Sequence, residues 1–209
     1  MAAGFWRVGS GRPYPRKPAA TAQGEPGLAG DRRVYRRNLT KADYNIIVVI
    51  MIPALIAIPG APWDVLPPGI HVATLTEVET AFAYNARRRT LFDGLIEASV
   101  TLARCGCRCV YLDGSYVSAK PIPGDYDACW EPDGVDFDTL DPVFDDFDNG
   151  RANQKARFGG EFFPSTLVEA GLGAAFKDFF QIDRFTGKKK GILSVSLLSD
   201  DTVSRRIKR

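Results

Sequence analysis

The chain has 209 residues, is 45% hydrophobic and 25% charged, and carries a net charge of +2. That balance gives a globular domain of ordinary size able to bury a core, and it excludes a chain too polar to fold. A near-neutral total leaves a nucleic-acid or membrane partner undecided, so local charge must speak instead.

Residues 1–45 are rich in Gly, Pro, Ala and Arg, as in "GSGRPYPRKPAATAQGEPGLAGDRRVYRR", with no period of a helix or strand. Such a stretch buries too little to offset its ordering entropy and reads as a disordered or non-native extension. Residues 46–75 read as an apolar, extended lead-in. Its unbroken apolar run, Ile46 to Ile58, contains Pro53 and is closed by Pro59-Gly60. That run is shorter than the ~20 residues of a spanning helix, so a buried extended segment is expected and no membrane partner. A membrane-anchored protein is the weaker alternative and rests on this run alone. Met51 is a candidate natural start, since "MIPALIAIPGAPWDVLPPGIH" would open a compact domain well.

A single compact domain is expected over residues 76–200. Thr76 and Glu79 fit a capping box, and Val78, Phe82, Leu91, Phe92, Leu95, Ile96, Val100 and Leu102 recur mostly at helical spacing. The run Arg87-Arg88-Arg89 reads as a solvated helix face. Gly106 is a natural stop. A strand is predicted over Cys107–Asp113, with Cys105, Cys107 and Cys109 alternating on one core-facing side. These cysteines, with Cys129 and the single His71, lack the spacing of a zinc site and read as buried thiols in a reducing compartment. Asp125–Trp130 is the next strand. An acidic stretch with Asp133, Asp136, Asp138, Asp141, Asp145, Asp146 and Asp148 then gives way to Arg151, Lys155 and Arg157. "GGEFFPS" suggests a short strand, "AAFKDFFQID" a short amphipathic piece, and Gly191–Leu198 a last strand, before a basic tail over 201–209. Helix and strand in this order predict an α/β or α+β domain with a small mixed sheet packed by helices.

Chemistry concentrates in "YLDGSYVSAKPIPGDYDACW", residues 111–130. Asp125 and Asp127, two apart on a strand, aim their carboxylates to the same side. Two such charges repel unless a cation screens them, and magnesium takes one or two carboxylates plus substrate phosphates. The Gly114-Ser115 turn ahead of them can hold a phosphate oxygen through backbone N–H groups and a hydroxyl. The competing reading is a β-hairpin with its aspartates in turn positions, for "PGDYD" contains turn residues.

Gly114-Ser115 followed by Asp125-Tyr126-Asp127 resembles the core signature of the DNA polymerase beta-like nucleotidyltransferase superfamily. That resemblance covers about twenty residues. With "GRANQKARFGGEFFPS" and "DFFQIDRFTGKKKGI", residues 51–198 also look like a bacterial family of uncharacterised nucleotidyltransferase-like proteins. The resemblance implies that Ser115 binds triphosphate and that Asp125 and Asp127 hold Mg2+, in a two-metal site. It further implies a third carboxylate on a later strand. Glu161 is the choice for that position, where the superfamily usually has Asp; Asp136 and Asp138 are rivals in a loop. Lys188, Lys189 and Lys190 are candidates to neutralise pyrophosphate or an RNA backbone, with Lys188 and Lys190 assigned to the nucleotide. Arg151, Lys155 and Arg157 are further candidates; for both groups an exposed turn or helix face is the plainer reading.

The expected activity is transfer of a nucleotide from an NTP to a hydroxyl of RNA, protein or a small molecule, in the cytoplasm. Small members of the superfamily often act in toxin–antitoxin or phage-defence systems, which implies an antitoxin-type partner. A degenerate protein of the same fold, binding a nucleotide or a partner without chemistry, is the alternative.

Overall fold

Short apolar runs with period-two alternation build a five-stranded sheet in the computed structural model, which describes residues 52–208. The strands are β1 (Gly69–Ala73), β2 (Cys109–Asp113), β3 (Tyr126–Trp130), β4 (Gly160–Pro164) and β5 (Gly191–Ser196). Their order is β1-β5-β2-β3-β4. β1 runs parallel to β5 and β3 to β4, while β2 is antiparallel to both its neighbours. With helices α1 (Leu75–Phe82), α2 (Ala86–Arg104), α3 (Ala152–Phe158), α4 (Phe176–Phe179) and α5 (Asp201–Ile207), the domain is a mixed-sheet α+β fold. The expected disorder of residues 1–45, the Met51 start and the run Ile46–Met51 lie outside the described residues. Among the described residues no helix is long and apolar enough to cross a membrane.

The two faces of the sheet are unlike. One presents Val110, Leu112, Tyr126, Ala128, Trp130, Phe162, Leu193 and Val195, all buried in the main core with Leu91, Leu95 and Ile96 of α2. Each Val, Leu, Ile or Phe side chain so removed from water contributes about 1.5–3 kcal/mol. Tyr126, Phe144 and Phe158 surround the Phe162 ring edge-on at 5.5–5.7 Å. The opposite face carries Cys109, Tyr111 and Asp113 of β2, Asp127 and Cys129 of β3, and Glu161 and Phe163 of β4, as the register of paired residues requires. A smaller aromatic cluster covers part of it, with Phe176 stacked on Phe163 at 3.9 Å and Phe180 packed beside them.

Several local expectations shift. The capping box is Thr74 with Glu77, not Thr76 with Glu79: Thr74 Oγ1 accepts from the Glu77 N–H at 3.2 Å, and Glu77 accepts from the Thr74 N–H at 2.7 Å. The sequence TLTEVE offers both boxes two residues apart. Asp200 decides between them, because its buried carboxylate accepts from the Leu75 N–H at 2.8 Å while also capping α5 through Thr202. The supposed lead-in therefore contains β1, and the supposed basic tail contains α5, whose Val203 is buried in the core. Cys105 caps α2 and Cys107 precedes β2, both in the helix-side core. Only Cys109 of that trio lies on the strand. The alternation was real in sequence, but Gly106, at φ +90°, turns the chain between helix and sheet.

A carboxylate-floored pocket as candidate functional site

The site begins with register. β2 pairs Asp113 with Asp127, and β3 pairs Asp127 with Glu161. Three carboxylates from three adjacent strands thus stand in one row across the second face. Asp125, half-buried, lies just before β3. Over part of this row opens a pocket of about 360 Å³, lined by Asp113, Gly114, Ser115, Asp125, Asp127 and Lys190 among others, with Glu161 outside its lining. That volume suits a small organic ligand.

The carboxylates are not equivalent. Asp113 is paired with the buried Lys190 ammonium. Burial still pushes its carboxyl above the ordinary range, against the pull of that lysine. Glu161 is held at both oxygens, by Arg151 Nε at 2.7 Å and by Lys155 Nζ. Asp125 has only a long contact to Lys155, at 3.9 Å. Asp127, between the two committed carboxylates, accepts no hydrogen bond and forms no ion pair among the described residues. Burial first, then the charges of Asp113, Glu161 and Asp125, push its carboxyl up to about 7, with Lys190 opposing. Half-buried among like charges, this carboxyl lowers the cost by keeping its proton to higher pH.

The Gly-Ser turn is built against that carboxylate. Gly114 sits at φ +82°, ψ −170°, a conformation essentially reserved for glycine. A Cβ there would come 2.5 Å from Asp127 Oδ2 and 2.9 Å from its backbone nitrogen. Ser115 opens a single 3-10 turn, and Ser118 Oγ donates to the Ser115 carbonyl at 2.7 Å.

What fixes this turn is Arg88, and here the expectation of a solvated arginine face fails. Arg88 is fully buried. Its guanidinium donates to the carbonyls of Tyr116 at 2.6 Å, Ser118 at 2.9 Å, Lys120 at 2.5 Å and Phe82 at 3.2 Å. The Tyr84 ring lies 4.7 Å away. Arg87 adds bonds to the Pro123 carbonyl, at 3.2 Å, and to that of Gly124. Two of the three arginines thus tie the loop of residues 116–124 to α2. Burial lowers the Arg88 pKa, yet no carboxylate faces it; carbonyl dipoles hold the charge instead.

The remaining candidates divide. Lys190 is buried at the pocket, whereas Lys188 is exposed and outside its lining. Lys189 is exposed too, so the plain reading of that run holds for two of its three members. Asp136 and Asp138 are exposed in the loop after β3, away from the row. Arg157 reaches Glu97 and Asp141, on the other side of α3. Sequence reasoning missed Asp113, Arg88 and Lys120, the last of which lines the pocket. The signal for Asp113 was its place at the end of a strand directly before Gly114.

Magnesium fits this donor set only in a particular way. Among the described residues no three His, Cys, Asp or Glu side chains are grouped so as to hold a metal by themselves. Asp127 and Asp125 offer two carboxylates to the pocket, and phosphate oxygens of a ligand would have to supply the rest.

Fold and site together define an α+β protein with an acidic-floored, lysine-edged pocket on the open face of its sheet. The chain belongs to the family described as "Family of unknown function (DUF6932)", whose profile matches residues 61–196. No curated protein and no solved structure matches it.

Proposed function

We propose that the pocket binds a nucleoside triphosphate with magnesium and transfers its nucleotide to a hydroxyl of RNA, protein or a small molecule, as the resemblance to polymerase beta-like nucleotidyltransferases implies. The observation that carries this reading is Asp127: a half-buried carboxylate with no donor among the described residues, packed under the Gly114-Ser115 turn in a ligand-sized pocket. Asp127 and Asp125 would hold the metal, which when bound would supply positive charge against the phosphates. Ser115 and Lys190 would bind the phosphates, and Lys120 would add charge at the wall. The acceptor hydroxyl oxygen would form a bond to the α-phosphorus. The bond from that phosphorus to the bridging oxygen would break, pyrophosphate would leave with the electron pair, and the hydroxyl proton would pass to water in the open pocket. Four unpaired cysteines suit a reducing, cytoplasmic setting.

A second reading, binding without transfer, draws on Glu161. The choice for third carboxylate has both oxygens taken by Arg151 and Lys155, and so offers the acceptor no free base. Incubation with α-labelled NTPs, magnesium and cell extract separates the two. Transfer is expected to label an acceptor and to vanish in the double variant Asp125→Asn, Asp127→Asn. Calorimetric binding of Mg-ATP without label favours the second reading, and absence of binding overturns both.

A further inference from the structure

Two aromatic side chains at the same pocket belong to neither hydrophobic cluster. Trp63 is 41% exposed and Phe185 55% exposed, and both line the pocket. Neither rides on loose chain. Around Trp63, Ile56 and Val65 exchange backbone hydrogen bonds at 2.8 and 3.0 Å, and the Ala119 N–H donates to the Asp64 carbonyl at 2.9 Å. Phe185 sits in a turn in which Asp183 Oδ1 accepts from the Thr186 N–H at 2.9 Å and from its hydroxyl at 2.7 Å. The Gly187 N–H closes that turn on the Asp183 carbonyl at 2.8 Å. The two loops adjoin: a Cβ on Gly60 would lie 3.2 Å from Thr186 Cγ2. Arg184 backs the Phe185 ring at 4.8 Å.

Ordered backbone therefore holds two large rings out to solvent beside a floor of carboxylates and lysine. Exposed aromatic faces at the wall of a pocket are stacking surfaces, and their partner must be flat and apolar on one side while charged on the other. We propose that Trp63 and Phe185 form a subsite for the heterocyclic base of a nucleotide, whose phosphates extend toward Ser115 and Lys190. This assignment rests on the nucleotide reading given above. Stacking engages the π-face that every base presents, so the subsite takes purines and pyrimidines with little preference among them.

The test is calorimetric titration of the full chain, in magnesium, with ATP, with UTP and with inorganic tripolyphosphate. The wild type is expected to bind ATP and UTP at least about tenfold more tightly than tripolyphosphate. Trp63→Ala and Phe185→Ala should each weaken ATP by roughly tenfold and leave tripolyphosphate unchanged, and Trp63→Phe should restore most of the loss. Equal affinity of the wild type for ATP and tripolyphosphate, or variants that weaken both alike, overturns the base subsite while the phosphate–metal reading stands. Binding of none of the three by the wild type overturns both.

Discussion

The two faces of the sheet are made by the same five strands, and neighbouring residues divide between them. Phe162 and Ala128 point into the helix-side core, while Glu161 and Asp127, one residue away, stand in the carboxylate row. One face is sealed, apolar and mutually packed. The other gathers like charges with incomplete compensation and leaves Asp127 without a partner among the described residues. Stability and chemistry are therefore segregated by the pleat, and substitutions on the two faces should differ in sign as well as in size. A protein that carries such repulsion opposes it with the burial on the reverse side.

The largest effect is expected from the sealed face. Phe162 is fully buried against three aromatic rings, so Phe162→Ala should cost about 3–5 kcal/mol. Chemical denaturation reads this directly. A loss below about 1 kcal/mol would mean that the core can collapse into the space, and that the helix-side packing is not what opposes the open face.

The open face should give the opposite sign. Burial and the neighbouring carboxylates push the folded Asp127 carboxyl up to about 7, well above the ordinary carboxylate value. Between those two values the folded chain keeps a proton that the unfolded chain has released. Stability therefore falls as pH rises through this window and is least above pH 7. Asp127→Asn removes the penalty and should stabilise the metal-free protein at pH 8 by on the order of 2 kcal/mol, raising Tm by about 5 °C. Its Tm should also lose most of its dependence on pH between 5 and 8. Melting curves in chelator, repeated with magnesium, check both points: magnesium should raise the Tm of the wild type at pH 8 and leave the variant unmoved. A variant less stable than the wild type at pH 8 would break the comparison.

Between these lies Gly114→Ala. The added Cβ would press on Asp127 and would require a backbone conformation that alanine avoids. A cost of roughly 1–3 kcal/mol is expected, together with loss of Mg-ATP binding in calorimetry. Retained binding would show that the turn does not shape the site.

The contrast between the faces also explains what could be read in the sequence. Gly114-Ser115 and Asp125–Asp127 were legible because their spacing is local, and Glu161 because its aromatic neighbours mark a strand. Asp113 was not, since its meaning comes from pairing with Asp127 across β2 and β3. Arg88 was hidden inside a run of like residues, and Lys190, named together with Lys188, is told apart from it only by burial. A charge run reads as surface, and only the loop arriving from residues 116–121 decides which arginine is enclosed. Likewise, the helix start was ambiguous by two residues until Asp200, more than a hundred positions away, chose one register. Local patterns thus defined the elements and half of the site, while long-range pairing supplied the rest.

The smallest effects sharpen the division most finely, because α3 serves both faces. Arg157 reaches back to Glu97 at 2.8 Å and Asp141 at 2.6 Å, while Lys155, two residues earlier, reaches Glu161 and Asp125 on the pocket side. Each cation keeps about two-fifths of its side chain exposed, at 39% and 41%. Exposed pairs of this kind are screened, so Arg157→Ala and Lys155→Ala should each cost less than about 1 kcal/mol, and less again in high salt. Their effects on magnesium should part. Removing Lys155 takes a positive charge from beside Asp125 and frees one oxygen of Glu161, which should tighten Mg-ATP binding several-fold. Removing Arg157 changes nothing in the pocket and should leave that affinity as it was. Equal affinities for the two variants would show that charge at the rim of α3 is too well screened to reach the carboxylate row, and that the proposed cation would answer to Asp127 and its strand neighbours alone.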